Sequence, residues 1–236
     1  MSDAHAAAAA GGLPSHGRLP QAVLFDLDGT LVDSAPDLAG AANDLRVARG
    51  LDPLPYARLR PLVGTGARGM VGAAFGLAPG EAGFDALKDA FLARYAQRLL
   101  HATRPFDGVG ALLDRLEQVG LRWGIVTNKH LCYATPVCEG LGLWPRAAVL
   151  VGGDSTPRPK PHPDPLLEAA RRLALPADAC IYVGDDERDI VAARAAGMPA
   201  LAAGWGYLGD GPRPADWGAD AVLDAPAALT HWLDLA

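Results

Sequence analysis

The chain has 236 residues, a formal net charge of −6 and 50% hydrophobic residues, a composition that supports a buried core in one large or two small domains. The acidic balance argues against nucleic acid or an anionic membrane surface as a partner. No apolar run is long enough to span a bilayer. The first twenty residues carry an alanine run, Ala6 to Ala10, with glycines and prolines around it. They lack a basic start and a long apolar stretch, so residues 1–20 predict a disordered leader and not a signal peptide. Three cysteines, Cys132, Cys138 and Cys180, have neither the spacing of a zinc site nor that of a disulfide framework. They read as reduced, buried thiols of a cytoplasmic protein.

The first element is a buried strand, Val23-Leu24-Phe25, which runs into Asp26-Leu27-Asp28-Gly29-Thr30. Side chains alternate along a strand, so Asp26 and Asp28 leave on the same side while the chain stays extended. Gly29 then permits a sharp turn and a close backbone approach. Two carboxylates aimed into one crevice repel each other and require a cation or a shared proton.

Asp33-Ser34-Ala35-Pro36 is a helix start. From there to about Arg104 apolar residues recur at helical spacing: Leu38, Ala41, Ala42 and Leu45, then Met70, Val71 and Ala74, then Phe84, Leu87, Phe91 and Tyr95. Gly50, Pro53, Pro61, Gly76 and Pro79 punctuate them, and no strand is expected there. The domain boundaries follow: an α/β core from 21–34 and 106–236, interrupted by a helical insert over 35–105.

After Pro105 the pattern alternates. Helices are expected at Val109 to Val119, Leu131 to Leu141 (with Pro136 kinking or restarting it), Asp164 to Leu173 and Glu187 to Ala196. Strands are expected at Trp123 to Thr127, Ala148 to Val151, Cys180 to Val183 and Pro199 to Ala203, with Ala221 to Leu223 as an edge strand. Short apolar strands alternating with helices imply a doubly wound, mainly parallel sheet covered on both faces. Ligands of such sheets bind beyond the C-terminal strand ends. Asp26 and Asp28, Thr127 and Asn128, and Asp185 and Asp186 stand there, and Lys160 lies in a nearby loop.

Four stretches, Asp26-Leu27-Asp28-Gly29-Thr30, Val126-Thr127-Asn128, Lys160-Pro161 and Gly184-Asp185-Asp186 with Asp189, stand in the order and spacing of the motifs of the haloacid dehalogenase (HAD) superfamily, which the chain resembles. The resemblance implies an HAD-like Rossmann-type core with a helical cap and a Mg²⁺-dependent phosphomonoester hydrolase. It implies Asp26 as nucleophile forming an aspartyl-phosphate, and Asp28 as general acid and then base. Gly29, Thr30, Thr127, Asn128 and Lys160 would bind the phosphate. Asp26, Asp185 and the main-chain carbonyl of Asp28 would hold Mg²⁺. Asp189 would stabilise the loop behind this site and Asp186 would be an outer ligand. Lys129 and His130 read as solvated residues at a helix start.

Within the superfamily the chain resembles the phosphoglycolate phosphatase group over about residues 21 to 225. Gly66-Ala67-Arg68, Gly83 to Leu87, Gly206-Tyr207 and Trp217 to Asp220 resemble a branch that acts on N-acetylmuramic acid 6-phosphate, and on these details the sugar phosphate is the expected substrate. Arg68 is then expected to contact the substrate carboxylate. The alternatives are 2-phosphoglycolate as substrate, a phosphomutase of the same superfamily, or a non-catalytic binding module; a dehalogenase needs no second carboxylate, and Asp28 argues against one. The expected partner is a small phosphorylated molecule, and the chain is expected to be a monomer or dimer.

Overall fold

The computed structural model describes residues 19–209 and 211–235. The expected leader lies outside the described residues except for its last two. A six-stranded sheet forms from β1 (Ala22–Phe25), β4 (Arg122–Val126), β5 (Leu150–Val151), β6 (Cys180–Gly184), β7 (Ala200–Ala203) and β8 (Ala221–Leu223), in the order β5-β4-β1-β6-β7-β8. Every pairing in it is parallel. This is the doubly wound parallel sheet that the alternating pattern implied.

The strands are apolar throughout because both faces are covered. Val23, Phe25, Trp123, Ile125, Ile181 and Val183 face α5 (Val109–Gln118), α6 (Leu131–Gly140) and α9 (Ala228–Trp232). The residues between them, Leu24, Val126, Cys180 and Tyr182, face α7 (Asp164–Arg172) and α8 (Glu187–Ala195). In α5 the buried set is Val109, Leu112, Leu113 and Leu116, the helical spacing that puts one stripe on the sheet. α6 runs unbroken through Pro136. The proline removes one bond near the helix start, to the carbonyl of Cys132, and Cys132 is exposed, which corrects its expected burial; Cys138 and Cys180 are buried as expected. The C-terminal α9 was not anticipated. It is five residues long, too short for a periodic signal, yet Leu229 and Trp232 seal one end of the core.

Between β1 and α5 lie α1 (Ala35–Val47), α2 (Tyr56–Leu59), a 3-10 turn (Arg60–Thr65), α3 (Gly66–Phe75) and α4 (Phe84–Ala96). They pack around their own apolar cluster, with Leu38, Ala42, Leu45, Met70, Phe91 and Tyr95 at its centre. The two chain segments that join this layer to the sheet pair with each other as an antiparallel ribbon, β2 (Val32–Asp33) with β3 (Arg104–Pro105). No strand was expected there. Two residues per strand, one of them proline, leave no alternation to read. No described helix is long and apolar enough to cross a membrane.

Asp37 ties the ribbon together. It is fully buried in α1 and accepts hydrogen bonds from the Ala102 N–H (3.0 Å), the Thr103 N–H (2.8 Å) and the Thr103 hydroxyl (2.7 Å). Asp37→Ala strands these donors away from water. It is expected to lower stability by roughly 1–3 kcal/mol or more, because buried donors are left without a partner. Chemical denaturation would check this; an unchanged midpoint would mean that water reaches the ribbon.

Candidate active site

The chain runs from β1 outward to β4 and β5, then returns to β6 on the other side of β1. The sheet's switch point, and hence its crevice, is therefore at the C-terminal end of β1. Three neighbouring strands end there in polar residues: β1 in Asp26, β4 in Thr127 and β6 in Asp185. The cavity above them has a volume of about 540 Å³ and is closed on its far side by Arg68, Lys88, Phe91 and Tyr95 of the helical layer.

Lys160 enters from the loop after β5. Its side chain is buried, and Nζ lies 2.9 Å from Asp26 Oδ1 and 2.7 Å from Asp189 Oδ1. It donates to the Val126 carbonyl (3.0 Å) and the Tyr182 hydroxyl (2.8 Å). Burial alone would drive the ammonium toward neutrality, but the charges of Asp189 and Asp26 outweigh it and hold the pKa above the ordinary lysine value. The loop is fixed by Asn128, whose amide donates to the Lys160 carbonyl and accepts from the Lys160 N–H, each at 3.0 Å. The Asn128 side chain, expected on the phosphate, is thus used on the lysine loop, which leaves its backbone N–H for a ligand.

Asp185 sits beside Asp26 with its carboxylate aimed by two donors, the Thr30 hydroxyl to Oδ1 (3.0 Å) and the Tyr207 N–H to Oδ2 (2.8 Å). Thr30 is fully buried. Gly29 has φ +90, and a Cβ there would lie 2.0 Å from Asp185 Oδ2; its own N–H bonds the Val32 carbonyl. Both were expected to touch phosphate. Instead they shape the wall around Asp185, because its carboxylate fills the space that a side chain at position 29 would take. Gly206 does the same from the opposite side, where a Cβ would come within 2.2 Å of the Asp185 Cβ.

Carboxylate oxygens of Asp26, Asp185 and Asp189 lie within 4.8 Å of one another. Burial first, then the charges of Asp26 and Asp189, push the Asp185 carboxyl well up. Burial likewise raises Asp189 to about 6 against the pull of Lys160. Asp26 Oδ1 has no hydrogen-bond partner among the described residues, since Lys160 stands near it without the angle of a hydrogen bond. Crowded, buried, all-oxygen donors with an unsatisfied lone pair fit a small hard cation such as Mg²⁺. Asp189 Oδ2 also accepts from the Asp186 N–H (3.2 Å), and Asp186 accepts from the Arg188 N–H (2.9 Å), the reciprocal cap of α8. Asp186 is further bound by the Arg188 guanidinium, which also donates to the Gly64 carbonyl of the helical layer. It faces that arginine, and the outer-ligand expectation for Asp186 gives way to a cap that joins two layers.

Asp28 lines the same cavity, with its carboxylate paired to a second lysine. Both of its oxygens accept from Lys129 Nζ, each at 2.8 Å, and Oδ1 also accepts from the Ser34 hydroxyl. Lys129 is therefore not the solvated residue its place at a helix start implied: its side chain is 8% exposed. His130 is exposed as expected. The signal for Lys129 was present, as a cation directly after Thr127-Asn128 at a strand end. Thr127 is 2% exposed, and its hydroxyl accepts from the Lys129 N–H (3.2 Å) while lining the cavity. Arg68 is exposed, on the α3 wall of the same cavity.

Residues 23–203 match the family model of haloacid dehalogenase-like hydrolases. The chain belongs to that family. This hydrolase is 51% identical over 213 residues to the phosphoglycolate phosphatase of Xanthomonas campestris pv. campestris (strain 8004), covering 90% of this chain and 96% of that protein. It is 43% identical over 216 residues to the N-acetylmuramic acid 6-phosphate phosphatase of Pseudomonas aeruginosa, covering 92% and 96%. The crystal structure of a predicted phosphoglycolate phosphatase from Haemophilus somnus superposes with a TM-score of 0.80 at 28% identity, covering 89% and 96%. The hydrolase is a phosphatase acting on phosphoric monoesters.

A bound divalent cation would stabilise the native hydrolase by mass action. Mg²⁺ is expected to raise its melting temperature, and Asp185→Asn to remove that rise. Gly206→Ala, whose methyl collides with Asp185, is expected to weaken the response to Mg²⁺ as well. Differential scanning fluorimetry across a Mg²⁺ titration reads both effects without any assay of activity. An equal rise in wild type and Asp185→Asn would remove Asp185 from the cation site.

Proposed function

We propose that the phosphatase hydrolyses 2-phosphoglycolate by way of a phosphoryl group carried on Asp26. The observation that supports this most is the buried Lys160–Asp26 pair at the switch point: a carboxylate with one unsatisfied oxygen beside a fixed ammonium. Asp26 attacks phosphorus in line with the ester oxygen, and the P–O bond to the leaving group breaks. Lys160, the Thr127 hydroxyl and the Asn128 backbone N–H receive the phosphoryl oxygens. Asp28 gives its proton to the departing glycolate oxygen, then takes one from the water that attacks the acyl-phosphate. Phosphate leaves and Asp26 is regenerated. Asp26, Asp185 and the Asp28 main-chain carbonyl would hold Mg²⁺, which would supply positive charge to the phosphoryl group and offset the crowded carboxylates. Residues 35–105 act as a cap over 21–34 and 106–236, swinging on the β2–β3 ribbon to exclude water from the intermediate.

The sequence details had favoured N-acetylmuramic acid 6-phosphate, and the relatives favour the two-carbon ester, with the 51% identical protein named for it against 43% for the sugar phosphatase. Two of the details that favoured the sugar phosphate, Gly206 and Tyr207, have structural tasks. Gly206 makes room for Asp185, and the Tyr207 hydroxyl accepts from the Ser34 N–H (2.7 Å) and Ala35 N–H (3.0 Å) and donates to Asp33. Neither position reads a sugar. The sugar phosphate remains the second reading on one observation, a cavity of about 540 Å³, roomier than a two-carbon ester fills, with Arg68 on its far wall.

Steady-state kinetics on both esters separate the two. kcat/KM for 2-phosphoglycolate is expected to exceed that for N-acetylmuramic acid 6-phosphate by on the order of tenfold or more, beyond what a methylene or two in a pocket decides. Arg68→Ala is expected to leave the smaller ester unaffected. A preference for the sugar phosphate, abolished by Arg68→Ala, would reverse the assignment.

A further inference from the structure

The reaction assigned above uses Asp28 but gives no task to the cation bound to it. Lys129 Nζ lies 2.8 Å from each Asp28 oxygen and 4.8 Å from the centroid of the Tyr95 ring. Asp28 belongs to the sheet edge and Tyr95 to α4 of the helical layer, so the lysine bridges the two layers. Tyr95 is 2% exposed and packs in the apolar cluster of that layer. Its hydroxyl makes no hydrogen bond of good geometry among the described residues, and the ammonium stands over the face of the ring. Lys129 itself follows β4 by way of Thr127 and Asn128, the residues that flank the phosphate position.

An ammonium has three protons. Two directions go to the Asp28 oxygens and one to the ring face, so both the lysine and the carboxylate plane are fixed. Ser34, on the ribbon side, restrains the same carboxylate. An acid transfers its proton to a leaving oxygen only from within hydrogen-bond reach, and a shift of about 1 Å can cost roughly 10²-fold in rate. The orientation of Asp28 is set directly by Lys129 and Ser34, and the ring that backs Lys129 is supplied by α4 of the helical layer.

From this geometry we infer that Lys129 is a positioning residue for the acid step: with the Tyr95 ring behind it, it holds the Asp28 carboxyl toward the leaving oxygen when the helical layer is in place. The inference rests on the reading of Asp28 as the acid. No bond to Lys129 forms or breaks; the proton passes from Asp28 to the ester oxygen as before.

The test compares kcat/KM, which reports the steps through departure of the leaving group, on three esters with Mg²⁺ saturating. These are 2-phosphoglycolate, its uncharged counterpart 2-hydroxyethyl phosphate, and 4-nitrophenyl phosphate, whose leaving group needs little protonation. Ratios between esters on one protein sample cancel any loss of folded fraction. Lys129→Met is expected to lose on the order of 10²-fold on both alkyl esters, the lower range for acid catalysis, with little loss on the nitrophenyl ester. Lys129→Arg restores part of the alkyl-ester activity. Tyr95→Leu gives the Lys129→Met pattern in weaker form, and Tyr95→Phe keeps the wild-type ratios. Equal losses on all three esters in Lys129→Met overturn the inference, since Lys129 then only supports the fold. A loss confined to 2-phosphoglycolate also overturns it, because the lysine then reads the substrate carboxylate. Asp28→Asn is the control: if it shows no preference for the nitrophenyl ester, the assignment of Asp28 as acid falls, whereas a preference in Asp28→Asn without one in Lys129→Met removes only Lys129.

Discussion

One buried ammonium organises this protein's sheet edge. Lys160 stands between Asp26 and Asp189, with its own side chain almost wholly buried. Carboxylates packed this closely in a low dielectric cannot all stay ionised without a cation among them. The lysine therefore has to be fixed, and much of the surrounding structure does that. Asn128 grips its backbone, the Val126 carbonyl and the Tyr182 hydroxyl take its protons, and Asp189 is locked into the cap of α8. Removing the lysine would leave uncompensated buried charge, a change that typically costs about 3–5 kcal/mol.

The fold makes such a cluster possible without long-range contrivance. Every strand that contributes to it is parallel, so all C-terminal ends point one way, and β1 lies between β4 and β6. Polar residues can stand past the strand ends because the strands themselves are sealed by apolar faces above and below. The helical layer then encloses the mouth. It touches the sheet side through a few polar bridges: Tyr95 on Lys129, the Gly64 carbonyl on Arg188, and Arg60 over the Tyr207 ring. Tyr207 joins these to the cation side, since its backbone holds Asp185 while its hydroxyl caps the first turn of α1. Layer position and site geometry are thereby coupled through named contacts.

Much of the architecture was legible in the residues. Short apolar runs at Val23, Trp123 and Cys180 fixed the strands, and the polar residues directly after them fixed the crevice. The helical layer was legible as a loss of alternation between Ala35 and Arg104. What escaped was either too short to carry a period, as with the β2–β3 ribbon and α9, or decided by distant packing. Gly29 and Thr30 belong to a stretch that suggested phosphate contact, yet the side chain they meet, Asp185, lies more than 150 positions further along the chain. Lys129 looked like a solvated helix-start residue; its place directly after Thr127-Asn128 at a strand end was the local signal, and the convergence of Asp28 and a tyrosine from α4 on it is decided by distant packing. Asn128 offered an amide for a ligand, and only the fold shows that a lysine loop takes it.

The central claim is that Asp26 carries the phosphoryl group. In Asp28→Asn protein, 4-nitrophenyl phosphate can still transfer its phosphoryl group, because its leaving group needs no acid, while hydrolysis lacks its base. Acid quenching during turnover, followed by peptide mapping by mass spectrometry, reads the result directly. The account predicts a phosphoryl group on the peptide that contains Asp26, accumulating with a burst of nitrophenolate and absent when Asp26 is also replaced by asparagine. Steady release of nitrophenolate with no burst and no phosphoryl group on Asp26, or with the group on another residue, would contradict it.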